Sequence, residues 1–149
     1  MWTELCRYQR LSGRRKWLLW EALISLALAR IATACLPFRR IALWLGTPGN
    51  ESPLNATDAQ VQMAEEIGWS VGCLARRVPW DGRCLAQALA ASGMLRRRGL
   101  EGTVTFGAER GESGQLIAHA WLRFGPCSVT GGRGYDRFKT ITSIARTPS

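Results

Sequence analysis

Histidine is almost missing from this chain: there is one, His119, in 149 residues. The five cysteines, at positions 6, 35, 73, 84 and 127, contain no C-x-x-C pair and no metal-ligand spacing. A structural zinc site is therefore not expected. An odd number of scattered thiols, with no small-residue cleavage site after the charged start Met1 to Arg15, suits a chain kept in a reducing cytoplasm without a signal peptide. No phosphate-binding glycine loop is present, because Gly131-Gly132-Arg133-Gly134 is not followed by Lys-Ser/Thr. Nothing argues for ATP use, and no cofactor is expected. The most apolar stretch, Trp17 to Phe38, is broken by Glu21 and Arg30, so no uncharged run of 18 residues exists and a spanning helix is disfavoured. Acidic residues are few, 11 against 20 Lys+Arg, for a net charge of +9. Such a balance suits an acidic peptide, a nucleic acid or an anionic membrane surface. The clusters Arg39-Arg40, Arg76-Arg77 and Arg96-Arg97-Arg98 lack any helix-turn-helix, zinc or aromatic-basic signature beside them. Two clusters lie where helices should end and complement the helix dipole, so no nucleic-acid partner is expected.

What is present is a 46% apolar chain, enough for one compact domain. Residues 1–46 read as a hydrophobic helical extension. Glu21, Ser25, Ala29 and Thr33, spaced by four, make a weakly polar stripe on a helix otherwise covered by Trp17, Trp20, Leu23, Ile24, Leu28 and Ile31. That helix needs cover, from the rest of the domain, a partner protein or, through peripheral contact, a membrane interface. Pro37 ends or bends it, and a short apolar segment, Ile41 to Leu45, follows. Turn residues gather between Gly46 and Asn55 and mark a hinge. The main domain is then residues 56–149. A helix is expected from an N-cap at Thr57 to about Arg77, with Val61, Ala64, Ile67, Val71 and Leu74 on one face and Pro79 as its stop. A second helix opens at Cys84 and closes at Gly99. Beyond it the period changes to strands, Thr103–Phe106, Leu116–Phe124 and Cys127–Thr130. Helices followed by an antiparallel meander make the fold α+β.

The chemistry centres on Cys84 and His119. Cys84 sits at the first turn of a helix, where unpaired backbone N–H groups and the dipole favour a thiolate and can also bind the oxyanion of an attacked carbonyl. His119, the one available imidazole base, lies mid-strand between two alanines. Taken singly, each residue has a plainer structural reading: a packed thiol, and a satisfied polar side chain.

From Trp80 to Phe138 the sequence resembles the transglutaminase-like leader peptidases of lasso-peptide biosynthesis, the B2 proteins. The resemblance rests on Arg83-Cys84-Leu85 opening a helix, Leu95-Arg96-Arg97-Arg98-Gly99 closing it, Phe106-Gly107, Ala118-His119-Ala120-Trp121-Leu122, and Val129-Thr130-Gly131-Gly132 with Phe138 beyond. It implies a papain-like core in which the cysteine helix packs on a small antiparallel sheet bearing the histidine. It also implies removal of the leader from a precursor peptide, together with a separate leader-recognition protein of the B1 type and a lasso cyclase. Family members carry an aspartate after the histidine strand, but Cys127 to Gly134 holds no carboxylate. Asp136 is the nearest candidate, with Thr130 or a backbone carbonyl as substitutes for orienting the ring. Asp81 reads as a helix cap, Trp80 and Trp121 as walls of the substrate cleft or as core anchors, and Cys127 as a packed thiol. Two other activities stay open: a non-catalytic module that holds a peptide or membrane, and acyl transfer to an amine in place of water.

Overall fold

The computed structural model describes residues 7–78, 84–132 and 135–146. Its elements are α1 (Gly13–Cys35), α2 (Phe38–Leu45), β1 (Thr47–Pro48), α3 (Asp58–Ala75), α4 (Cys84–Arg96), β2 (Thr103–Arg110), β3 (Leu116–Phe124), β4 (Cys127–Thr130), a 3-10 turn (Tyr135–Arg137) and β5 (Lys139–Ala145). The strands form one antiparallel sheet in the order β1-β5-β2-β3-β4.

Local chemistry sets the helix limits. Ser12 caps α1 by accepting from the Arg15 N–H. Thr57 and Gln60 close a reciprocal capping box at the start of α3, satisfying two donors that the helix itself cannot. At the end of α4 the Leu100 N–H reaches Leu95 O and the Gly99 N–H reaches Arg96 O. Gly99 takes φ +70° there, the left-handed terminator that glycine adopts without steric cost.

Helix α4 is the centre of the molecule. Ala86, Ala88, Ala90, Ala91 and Ser92 are buried along with Leu89, Met94 and Leu95, and small side chains on nearly every side let α1, α3 and the sheet close around it. Leu18, Ala22, Leu26 and Ala29 of α1 belong to this same core, with Ile67 and Val71 of α3, Val104 of β2, Leu122 of β3 and Ile144 of β5. The first long helix thus packs into the domain along one face.

Two findings differ from the sequence reading. The strand expected over Thr103–Phe106 runs on to Arg110, and a further strand, β5, lies between β1 and β2. The sheet is therefore not a simple meander: the chain leaves β4 at one edge and returns beyond β2. The turn-rich segment after Gly46 is also tied down. Thr47 and Pro48 pair with Ala145 and Ile144, and buried Ser52 bonds through both its N–H and its hydroxyl to Thr103 Oγ1.

Candidate active site

Cys84 is the first residue of α4, half-buried and a free thiol. The helix behind it is buried and packs on β3 and β4, so its first turn is presented by a rigid element. Residues 79–83 lie outside the described residues, and with them Trp80 and Asp81.

His119 sits mid-β3, half-buried. Side chains alternate along a strand. Leu122 and Phe124 enter the core shared with the helices, whereas His119 and Trp121 stand on the other face. There the imidazole is one corner of a three-ring cluster: Phe138 stacks on it at a centroid distance of 4.8 Å and Trp121 lies at 5.8 Å, both inclined by 28°, with Trp121 and Phe138 themselves 6.5 Å apart. Two glycines make this cluster possible. A Cβ on Gly107 would come within 2.8 Å of the Trp121 ring, and one on Gly131 within 2.7 Å of Trp121 Cβ and 3.1 Å of His119 Nε2.

The ring tip is turned toward the chain that leaves β4. Pairing of β3 with β4 ends at Leu122 and Thr130, and Gly131, the next residue, puts its carbonyl 3.5 Å from His119 Nε2. That is a long contact which orients the ring loosely. Helix α4 packs against β3 and β4. Among the described residues no hydrogen bond joins Cys84 to His119.

Asp136 is exposed on the 3-10 turn, and among the described residues it bonds to neither ring nitrogen of His119. It lies two residues before Phe138, so the segment that carries it is anchored on the imidazole. Thr130 Oγ1 is buried and, among the described residues, has no hydrogen-bond partner. Trp121 is buried as well, and its ring contacts the imidazole of His119. Cys127 packs against the core, and burial, followed by the negative charge of Glu65, pushes its thiol pKa up. A thiol raised in this way stays protonated at neutral pH. Among the described residues no group of three His, Cys, Asp or Glu side chains is placed to hold a metal ion.

Phe138 and the two small residues Gly107 and Gly131 are the parts of this arrangement to which sequence reasoning gave no physical role. Their signal was present only as positions in a resemblance, because ring stacking across β3 and the chain entering β5 cannot be read before β5 is placed.

No curated protein and no solved structure matches the chain. A family model described as the transglutaminase-like superfamily matches residues 26–143, a span that begins inside α1, takes in Cys84 and His119, and ends in β5. With most of its length matched, and with a cysteine-initiated helix packed on an antiparallel sheet that bears the histidine, the chain belongs to the transglutaminase-like superfamily.

Proposed function

We propose that the protein is a cysteine peptidase that removes the leader from a lasso-peptide precursor, with Cys84 as nucleophile and His119 as its base. The observation that carries this reading is the position of Cys84 as the first residue of the buried central helix. There, backbone N–H groups without helical partners can stabilise both the thiolate and a developing oxyanion. Membership of a superfamily that includes cysteine peptidases supports the reaction class; the lasso-peptide substrate rests on the sequence resemblance between Trp80 and Phe138.

In this scheme His119 takes the Cys84 thiol proton, and the thiolate adds to the carbonyl carbon of the last leader residue. The carbon–nitrogen bond then breaks as His119 returns the proton to the leaving amine. Water, deprotonated by His119, adds to the thioester and releases the leader carboxylate and the free thiol. The imidazolium formed on the way is stacked on the ring of Phe138, and a cation over an aromatic face is favoured. The scheme requires Cys84 and His119 to close to hydrogen-bond distance; such contacts are often long in free enzymes and tighten with substrate bound. Asp136 is the acid proposed to orient the ring, on its place beside Phe138. The partners are the separate leader-recognition protein and the cyclase that uses the new amino terminus.

The test is cleavage of the precursor peptide, with the recognition protein present, followed by mass spectrometry for wild type, Cys84→Ala, His119→Ala and Asp136→Asn. Loss of product in the first two, with unchanged circular dichroism, supports the peptidase. Full cleavage by Cys84→Ala overturns it in favour of a non-catalytic binding module. Product joined to an added amine in place of water assigns acyl transfer.

A further inference from the structure

Helix α1 is apolar on both sides, and only one side is used. Leu18, Ala22, Leu26 and Ala29 face the core at 6% exposure or less. On the other side Trp17, Trp20, Ile24, Leu28 and Ile31 are all more than half exposed, from 57% at Trp20 to 69% at Trp17. At 100° per residue these five lie within about 80° of arc, one continuous ridge some 21 Å long at 1.5 Å per residue. Phe38 and Leu43 of α2 are exposed too. A ridge of this kind on a water-soluble face is costly unless something covers it.

The geometry points to the interfacial region of an anionic lipid bilayer as its occupant, with α1 lying in the membrane plane. Three observations select it. The helix is 23 residues long and an 18-residue stretch of it has a mean hydropathy of 1.6, enough by length and composition to span a membrane, yet its inner face is part of the domain core, so lipid can reach it only from one side. At the near end of the ridge Arg14 pairs with Glu66 and Arg15 lies over the Trp69 ring, both on α3; past the far end Arg39 and Arg40, at the start of α2, are exposed. They stand on a chain of net charge +9, which complements a negative membrane surface. Two tryptophans head the ridge, and Trp rings settle at the headgroup boundary. An apolar face with Trp at one end and arginines beside it is the pattern of a helix that lies in an interface.

The experiment is co-sedimentation of the full chain with phosphatidylcholine vesicles containing about a third phosphatidylglycerol, alongside tryptophan emission. Binding with a blue shift is expected, weaker on pure phosphatidylcholine. Ile24→Glu combined with Leu28→Glu should lower partitioning at least ten-fold and abolish the shift, while circular dichroism stays unchanged because both side chains are exposed. No vesicle binding at low salt overturns the proposal. So does binding to which the double variant is indifferent, which would be adhesion by charge alone, or a salt-resistant dimer that the double variant dissolves without any affinity for vesicles. None of these outcomes depends on peptidase activity.

Discussion

Glu21 of α1 and Arg98 beyond the end of α4 are joined by two hydrogen bonds: Arg98 Nη2 donates to Oε2 at 2.6 Å and Nη1 to Oε1 at 3.0 Å. Arg97 Nε adds a third, to Oε1 at 2.8 Å, and Arg97 Nη2 reaches Ser25 Oγ at 2.7 Å. Burial alone would raise the Glu21 carboxyl pKa, but the hydrogen bonds and charges of Arg98 and Arg97 outweigh it and hold the group below the ordinary carboxylate range. Glu21→Gln removes the charge that both guanidiniums use. We expect a loss of about 2 kcal/mol at neutral pH, seen as a fall in Tm of about 4–8 °C. Because the folded pKa is depressed, this contribution is complete above the ordinary carboxylate range and fades as pH drops through the folded value. Urea unfolding of wild type and variant should therefore converge in acid.

That contact also shows how far the sequence could be read. The stripe Glu21-Ser25-Ala29-Thr33 was visible at a spacing of four, and so was the arginine cluster that meets it. Periodicity tells which residues share a face, though, not which face is buried. Hydropathy favours turning the stripe outward, whereas the arginines that follow α4 turn it inward and leave Trp17 and Ile24 outside. At the site, Cys84 at a helix start and His119 in a strand were legible from caps and alternation, and the limits of α4, β3 and β4 followed. Strand β5 was not, since in Lys139–Ala145 Ile141 is exposed while Ile144 is buried, and only the pairing with β2 reveals it. Without β5 the ring of Phe138 had no reason to lie on His119.

Helix α3 crosses the sheet edge so closely at Gly68 that an added Cβ would fall inside contact distance of the Val129 carbonyl oxygen. Both groups are backbone, so neither yields cheaply. Gly68→Ala should cost about 3 kcal/mol. Gly72, one turn later in the same helix, has open space where a Cβ would stand. Gly72→Ala should instead stabilise by about 0.5–1 kcal/mol through helix propensity. Thermal melts of the two variants should move in opposite directions; equal shifts would mean that helix and sheet are not in contact at Val129.

The two half-buried cysteines of the β4 and α4 regions should differ in reactivity. The Cys127 thiol is raised by burial and then by Glu65, so alkylation by iodoacetamide at neutral pH should be slow there and accelerate only in base. Under the proposed mechanism Cys84 is modified first, and its modification abolishes cleavage. Peptide mapping by mass spectrometry over time reads both sites; earlier labelling of Cys127 would count against the nucleophile assigned here.

Gly107 tests the ring stack without touching a proposed catalytic group. It lies beneath the Trp121 ring, and a methyl group there would approach Trp121 Cη2 to 2.8 Å and Phe138 Cβ to 3.0 Å. Both rings hold the imidazole of His119, so Gly107→Ala must shift at least one of them. Displacing a catalytic group by about 1 Å can cost on the order of 100-fold in rate. On the proposed peptidase reading, kcat for precursor cleavage should fall by about 10- to 100-fold while KM changes little, because the substrate's own contacts are not altered. Phe138→Leu should fall in the same range, and Phe138→Tyr, which keeps the ring, should recover most of the activity. If Phe138→Leu cleaves as well as wild type, the stack only fills space, and the orientation of His119 must come from elsewhere.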